Sequence, residues 1–300
     1  MLGDTAPQPN NKQTESKEKL QFKVASISIQ SEDITPSHPD NQDTLLVSGR
    51  AFGVLDGMGG EKGGKRASEL ARYYILQHLS EVVDGTTVEK AVETISKIFI
   101  GADGAIEAEA EKDPSLEKMG TTAVLIKFFR DNMDNEWALI PNVGDSRAYK
   151  IEDGKAIQLT EDDDFFKHPD ILQFGFTKED EKKLKEEIEN AKAKKDLNGG
   201  AEFIYSRRHI VGQCLGHGHA TPNVTFSPAR AGDTFVLVTD FYENYNDAGF
   251  QKLLEEAISG NANLDEAAKK IIDACLEKSK DKENFRAKKD DMSIVIVRAE

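Results

Sequence analysis

The residues with the clearest chemical potential are aspartates at the ends of apolar, strand-like runs. The run Val54-Leu55 delivers Asp56 and turns at once on Gly57. A buried strand that ends in this way brings a charged oxygen and a free backbone carbonyl to the edge of a core. Hard divalent cations such as Mg2+ and Mn2+ prefer oxygen ligands of this kind. The motif therefore predicts one part of a cation site.

Further acidic residues recur in the same setting. They are Asp43 before Leu45–Val47, Asp145 in a glycine turn, Asp240 after Phe235–Thr239, and Asp290 with Asp291 before Ser293–Val297. A single aspartate beside a strand is usually a turn or capping residue. Several carboxylates collected at strand ends would repel one another strongly unless cations lay between them. Together they predict a binuclear metal site, with one bridging aspartate and others beside it.

The elements that must position these residues follow from apolar periodicity. Strands are predicted over Phe22–Ile29, Leu45–Val47, Ala51–Leu55, Thr121–Phe129, Trp137–Val143, Ser146–Ile151, Ala156–Leu159, Thr234–Thr239 and Met292–Val297. Helices are predicted over Gly64–Leu79, Thr87–Ala110, Lys178–Lys195, Asp247–Ser259 and Leu264–Lys280. Strand runs separated by helix pairs indicate an α+β layered domain in which helices cover antiparallel sheets.

Composition narrows the class of protein. The 300 residues carry a formal net charge of -15, which argues against nucleic acid and anionic membranes as partners. Cys214 and Cys275 lack metal-type spacing and are interpreted as reduced residues of a cytoplasmic protein. No run reaches the apolar length of a membrane span. Residues 1–20 are predicted to be a disordered tail before a domain over 21–300.

The ordered motifs of the chain carry a family resemblance. They are Asn41-Gln42-Asp43, Asp56-Gly57-Met58-Gly59-Gly60, Met119-Gly120-Thr121-Thr122-Ala123, Asn142-Val143-Gly144-Asp145-Ser146-Arg147, Thr239-Asp240 and Asp290-Asp291-Met292-Ser293. Their order and spacing over about Val24 to Arg298 resemble the metal-dependent protein phosphatases of the PPM or PP2C type, nearest to the bacterial subgroup. The resemblance implies a four-layer α-β-β-α sandwich, with two antiparallel sheets flanked by helix pairs.

The resemblance also implies roles for individual residues. Asp56 would bridge two Mn2+ or Mg2+ ions, and the Gly57 carbonyl would bind one of them. Asp240 and Asp290 would complete the ligand set of the first ion. Asp43 would lie beside the second ion and act through water. These assignments make Asp56, Asp240 and Asp290 the catalytic set.

A weaker third ion is implied as well, held by Asp145 together with Asp240. Asp291 replaces a common asparagine and is expected to accept hydrogen bonds around the ligands. The implied reaction is hydrolysis of phosphoserine or phosphothreonine monoesters by a metal-activated water. The implied partner is a phosphorylated protein, and the chain is expected to be a monomer.

Two departures from the family pattern affect the expected activity. His38 stands where the family usually has an arginine that contacts substrate phosphate, and a histidine cannot form the bidentate arginine fork. Arg50, Lys62, Arg207 and Arg208 are the candidates that would compensate. The family's Asp-Gly is replaced by Asp240-Phe241, which is expected to alter the turn because glycine tolerates positive φ and phenylalanine resists it.

Several alternatives remain open on the sequence. A pseudophosphatase that keeps the fold but acts as a binding or regulatory module is the second hypothesis, and a hydrolase of small phosphoesters is the third. Residues of about 161–208 would be the family's variable flap, with a role in substrate selection or regulation, or a solvated helical insert. His217 and His219 have metal-like spacing but are interpreted as part of a surface loop, because a zinc site needs three or four ligands.

Overall fold

The computed structural model describes residues 18–32, 39–59, 63–164, 167, 177–259 and 261–300. Its strands are β1 (Phe22–Ile29), β2 (Thr44–Ser48), β3 (Ala51–Leu55), β4 (Gly57–Met58), β5 (Gly120–Thr121), β6 (Ala123–Arg130), β7 (Glu136–Val143), β8 (Arg147–Glu152), β9 (Lys155–Gln158), β10 (Asn223–Pro228), β11 (Thr234–Val238) and β12 (Met292–Ala299). Its α-helices are α1 (Gly63–His78), α2 (Val88–Ala110), α3 (Lys178–Asn190), α4 (Gly199–Tyr205), α5 (Asp247–Ile258) and α6 (Leu264–Lys280).

Two antiparallel five-stranded sheets form the centre of the fold. One has the strand order β1-β12-β11-β8-β9 and the other β10-β7-β6-β3-β2. Their facing sides bury Phe52 and Phe128 from the second sheet against Phe235 and Val295 from the first. Aromatic and β-branched side chains of this kind pack well on pleated surfaces, so the inter-sheet core is dry and fixes the two sheets face to face.

A pair of helices covers the outer side of each sheet. Helices α1 and α2 pack their apolar stripes on the second sheet, with Ala71 and Phe99 fully buried. Helices α5 and α6 cover the first sheet, where Phe250 and Ile271 are fully buried. This arrangement confirms the predicted α+β class and the four-layer sandwich. Within the described residues, none of the helices has the length and apolar character needed to cross a lipid bilayer.

The structure differs from the sequence-based elements in a few places. Strand β10 was missed because it is an edge strand with no fully buried residue, so it shows no apolar run. The predicted strand over 121–129 is split, since Gly120–Thr121 pairs separately with β4. The charged helix ends at Asn190 rather than at residue 195, and the short helix α4 was not predicted.

The predicted disordered tail, residues 1–20, lies mostly outside the described residues. Where the chain is described, Lys19 forms an ion pair with Asp84 at 2.6 Å, and Leu20 packs against the inter-sheet core. The Leu20 carbonyl also accepts a hydrogen bond from Arg50 at 3.1 Å. Lys19 and Leu20 therefore contact the folded domain.

Candidate active site

Asp56 lies where β3 ends and the chain crosses into the small β4-β5 sheet. Its amide donates to Thr122 Oγ1 at 3.2 Å, and its carbonyl accepts from the Thr122 amide at 2.8 Å. The Thr121 hydroxyl donates to the same carbonyl at 2.8 Å. These bonds satisfy the Asp56 backbone and leave its half-buried carboxylate to face the end of the sandwich.

Gly57 allows the start of helix α1 to approach this turn closely. A Cβ atom on Gly57 would lie 2.1 Å from the Gly64 carbonyl oxygen and 2.6 Å from the Gln42 carbonyl oxygen. Contacts this short do not occur for real Cβ atoms, and the atoms opposed are backbone. The glycine is therefore required for the helix N-terminus, the Gln42 loop and the Asp56 turn to meet.

Asp43 and Asp291 join the two sheets at the same end. Asp43 is buried, and its Oδ2 accepts a hydrogen bond from Thr239 Oγ1 at 3.0 Å. The Asp291 carboxylate accepts from the backbone amides of Ser31 at 2.8 Å and Gln42 at 2.6 Å. Asp291 thus holds the loop that carries Asp43, in the supporting role expected of it.

Asp240 and Asp290 share a lysine that the sequence analysis did not single out. Lys288 Nζ forms an ion pair with Asp240 Oδ2, lies 3.1 Å from Glu243 Oε2 and lies 3.5 Å from Asp290 Oδ2. The one sequence signal that could have identified Lys288 is its position two residues before Asp290, a predicted metal ligand. Glu243 was missed too, because its approach depends on the turn that follows Asp240.

The turn after Asp240 corrects one expectation. The phenylalanine at position 241 was expected to disturb a glycine-type turn and, with it, the position of Asp240. Instead Asp240–Asn244 forms a 3-10 helix, and the only described non-glycine residues with positive φ are Asp134 and Asp153. The Phe241 side chain is fully buried beside Phe250. Asp240 lies near Asp290, because the ammonium of Lys288 contacts both carboxylates.

The carboxylates at this end of the sandwich disturb one another electrostatically. Burial raises the pKa of Asp43 to about 7, and the charges of Asp291 and Asp290 add to the rise against hydrogen bonds from Ser293 and Thr239. Burial also raises the pKa of Asp56 well above its usual range, and the charges of Asp43, Asp290 and Asp145 act in the same direction. Burial is the largest cause of both shifts, and the neighbouring carboxylates add to it.

Asp145 is brought to this space by a turn that only glycine adopts easily. Gly144 has φ +97, and its amide donates to Asp163 Oδ2 at 2.8 Å. The Tyr242 hydroxyl donates to the Asp145 carbonyl at 2.9 Å. Burial raises the pKa of Asp145 to about 6 against the opposing charge of Lys288.

A cavity of about 560 Å³ opens beside Asp145 among the described residues. Arg147 lies in its wall and bridges the core to the flap, with ion pairs to Asp162 at 2.6 Å and Asp247 at 2.7 Å. Its guanidinium also stacks 3.8 Å over the Tyr242 ring. The cavity therefore lies between the flap and Asp145.

The flap itself rests on the helix pair of the first sheet. The Glu189 carboxylate accepts from the backbone amides of Asp247 at 2.9 Å and Ala248 at 3.0 Å, which caps the start of α5. The Tyr205 ring packs on Phe285 with centroids 5.3 Å apart. These contacts place parts of α3 and α4 along one side of the cavity, although α3 buries none of its residues.

The remaining predicted residues divide between described and undescribed parts of the chain. His38 and Lys62 lie outside the described residues. Arg50 is held by Glu136 and two backbone carbonyls on the far side of β3, so it is not a phosphate contact. Arg208 lines the cavity, over the Tyr205 ring. Among the other described candidates, Arg207 stacks over the Phe203 ring, whereas Arg208 lies 3.7 Å from Glu243 Oε2 beside the site.

The histidine pair lies in a loop with a structural anchor. Asp103 on α2 accepts hydrogen bonds from the amides of Gly216 at 2.5 Å, Gly218 at 3.2 Å and Ala220 at 3.0 Å. A buried carboxylate with three backbone donors fixes the loop that contains both histidines. The loop needs no metal ion for its conformation.

The carboxylates fit divalent cations by their chemistry. Among the described residues, no group of three or more His, Cys, Asp or Glu side chains lies in an arrangement that could hold a metal ion. However, the donors that meet here are all oxygens, as Mn2+ and Mg2+ prefer. Asp240 Oδ1 is also buried without a hydrogen-bond partner, which is costly unless another ligand satisfies it. The residues present therefore suit a bound cation.

The chain belongs to the protein phosphatase 2C family, whose sequence model matches residues 38–277. The serine/threonine protein phosphatase PstP of Mycobacterium tuberculosis is 30% identical over 201 residues, which are 67% of this chain and 33% of PstP. The serine/threonine phosphatase stp of Listeria monocytogenes is 27% identical over 235 residues, 78% of each chain. The chain thus spans about a third of the length of the first relatives it matches.

Solved structures support the same fold. The catalytic domain of PstP in complex with two manganese ions superposes with a TM-score of 0.66 at 23% identity, over 94% of this chain and 99% of that one. Stp1 from Staphylococcus aureus superposes with a TM-score of 0.67 at 19% identity, over 93% and 96%. Family membership and the bacterial-like character predicted from the motifs are confirmed.

Proposed function

We propose that this chain is a metal-dependent protein serine/threonine phosphatase. The observation that carries the proposal is the set of buried and half-buried carboxylates at one end of the sandwich. Burial, with a contribution from neighbouring charges, raises the pKa of Asp43 and Asp56, and Asp240 Oδ1 is buried without a hydrogen-bond partner. Such a set is unfavourable unless it binds cations. Because the chain belongs to the protein phosphatase 2C family, the reaction that we propose for those cations is hydrolysis of phosphoserine and phosphothreonine esters.

The proposal assigns the ion-holding residues as follows. Asp56 and the Gly57 carbonyl would hold the pair of ions from the side of β3, and Asp240 and Asp290 from the side of the first sheet. Asp43 would orient water near the second ion. When bound, Mn2+ or Mg2+ would lower the pKa of a coordinated water and neutralise charge on phosphoryl oxygens.

The side chains around the cluster prepare the site for this chemistry. Thr239 and Ser293 hydrogen-bond to Asp43 and thereby fix its carboxylate. Asp291 fixes the loop that carries Asp43 through two backbone amides. These interactions hold the oxygen ligands before any ion arrives, and such preorganisation reduces the cost of binding.

The proposal takes phosphorylated proteins as substrates and residues 21–300 as the catalytic domain, with a flap insert at about 161–208. The cavity beside Asp145 supports a role of the flap in substrate binding, because flap residue Asp162 and Arg208 share its wall. His38 would contact the substrate phosphate. A cytoplasmic monomer is part of the same proposal, supported by the net charge of -15 and two free, buried cysteines.

Phosphate release from a phosphothreonine peptide tests the proposal. We expect turnover that requires Mn2+ or Mg2+ and stops in EDTA, with much slower turnover of free phosphothreonine because that compound cannot occupy the cavity. Equal turnover of both compounds would favour the small-phosphoester hydrolase. A folded protein that binds Mn2+ but releases no phosphate would favour the pseudophosphatase.

A further inference from the structure

One loop contacts both the flap and the turn that carries Asp240. It consists of residues 281–291, between α6 and β12, and we call it the ligand loop. Phe285 and Arg286 lie in its middle, and Asp290, a proposed ligand of the first ion, lies near its end. The contacts of the ligand loop therefore determine whether the flap can influence the position of Asp290.

The flap holds the middle of the ligand loop by packing and by hydrogen bonds. Phe285 belongs to a small apolar cluster whose other members are all flap residues. The Tyr205 hydroxyl donates to the Phe285 carbonyl at 3.2 Å. Arg286 is only 9% exposed, and its Nη2 donates to the carbonyls of Ile188 and Glu189 at the end of α3, where the helix dipole favours a cation. The flap thus binds both the backbone and the side chains of the loop.

The turn that begins with Asp240 holds the same loop on either side of the flap contacts. Asn284 Nδ2 donates to the Asn244 carbonyl at 3.0 Å, and the Lys288 amide donates to Asn244 Oδ1 at 2.8 Å. Asn244 is 1% exposed and belongs to the same 3-10 helix as Asp240. Because the flap-bound residues lie directly between Asn284 and Lys288, the flap and the Asp240 turn together fix one short segment. Asp290 follows that segment immediately in the chain.

We propose that the flap positions Asp290 through the ligand loop, with Arg286 as the main positioning residue. This inference rests on the proposed phosphatase function, because Asp290 is one of the residues that would hold its ions. The flap would then support the ions as well as the substrate. An ion that binds more tightly when the flap is docked must in turn favour the docked flap, because coupling between binding free energies is reciprocal.

The affinity for Mn2+, measured by isothermal titration calorimetry, tests the inference. Arg286→Met keeps the apolar length of the side chain but removes the donors to α3. It should weaken Mn2+ binding about 10-fold, as loss of a residue that supports metal ligands commonly does. Tyr205→Phe removes one hydrogen bond to the loop backbone and should weaken binding about 3-fold. Arg286→Lys retains a cationic donor at the end of α3 and should recover part of the affinity that Arg286→Met loses.

Two matched controls separate this effect from a general loss of stability. Arg50→Met removes an arginine that also donates to backbone carbonyls, but on the far side of β3. Thr234→Val removes a buried hydroxyl that accepts from Arg298 at 3.0 Å, at the end of β11 opposite Asp240. Both variants should bind Mn2+ as tightly as the wild type does, even where they lower the free energy of unfolding.

Equal Mn2+ affinity in the wild type and in folded Arg286→Met would overturn the inference and leave the phosphatase proposal standing. No Mn2+ bound by the wild type would overturn both. Hydrogen exchange of the wild type does not depend on the folding of a variant. Saturating Mn2+ should slow the exchange of backbone amides in α3 and α4, and unchanged exchange in these helices would refute the link between the flap and the ions.

Discussion

Replacement of Asp43 by asparagine should change how the stability of the metal-free protein depends on pH. Burial and neighbouring carboxylates raise the pKa of Asp43 from 3.8 to about 7. The folded state therefore binds a proton more tightly than the unfolded state, and stability is lost as pH rises from 3.8 towards 7. A shift of about three pKa units corresponds to about 4 kcal/mol, of which roughly 2–3 kcal/mol falls between pH 5 and pH 8.

Urea unfolding in EDTA at several values between pH 5 and pH 8 measures this effect. The wild type should lose stability across the range, and Asp43→Asn should lose roughly 2–3 kcal/mol less, because an amide does not titrate. Asp273→Asn, an exposed change on α6, should leave the slope unchanged. If Asp43→Asn and the wild type have equal slopes, Asp43 does not share a buried space with the other carboxylates, and the electrostatic account of the site is wrong.

Three further changes test the supports of the site. Burial would raise the pKa of Asp131, but hydrogen bonds, including one from the Trp137 indole, outweigh it and lower the pKa to about 2. Asp131→Asn should therefore lower the free energy of unfolding by about 2 kcal/mol at pH 7, measured by urea unfolding. A difference from the wild type that does not shrink below pH 4 would contradict this. Arg147→Met should lower the free energy of unfolding by about 3 kcal/mol, because it leaves the carboxylate of Asp162 in the flap without a counter-charge. Unchanged stability would mean that this ion pair does not hold the flap to the core. Gly57→Ala should destabilise the protein by about 1–3 kcal/mol or more, because its Cβ would clash with backbone atoms. Gly104→Ala lies in open space on a helix and should stabilise the protein slightly. Equal melting temperatures for the two variants would refute the close approach at position 57.

Much of the fold could be predicted because its elements carry strong periodic patterns. Strand β1 and helix α6 have the predicted bounds. Helix α6 buries one apolar face, and the side chains of β1 alternate between the inter-sheet core and the core under α5 and α6. The Asp153-Gly154 turn has positive φ at both residues, as a two-residue hairpin requires. Strand β10 could not be found in this way because its stability comes from backbone pairing with β7 and not from an apolar face.

The candidate aspartates could be proposed from the sequence because strand ends mark them. The contacts between them could not, because they depend on loops that meet from distant parts of the chain. Lys288 reaches Asp240 only because its loop is anchored on Asn244. The exchange of glycine for Phe241 was misjudged for a related reason, since the 3-10 helix and the buried ring accommodate it. Local conformational preference alone did not determine that turn.

The central claim is that Asp56 joins the ions that make this protein a phosphatase. The most direct test is phosphate release from a phosphothreonine peptide by the wild type, Asp56→Asn and Asp273→Asn at saturating Mn2+. Loss of several kcal/mol of metal-dependent stabilisation predicts a decrease of at least about 100-fold for Asp56→Asn, with Asp273→Asn equal to the wild type. Wild-type turnover that survives in folded Asp56→Asn within a factor of about two would contradict the account, because that change corresponds to under 0.5 kcal/mol.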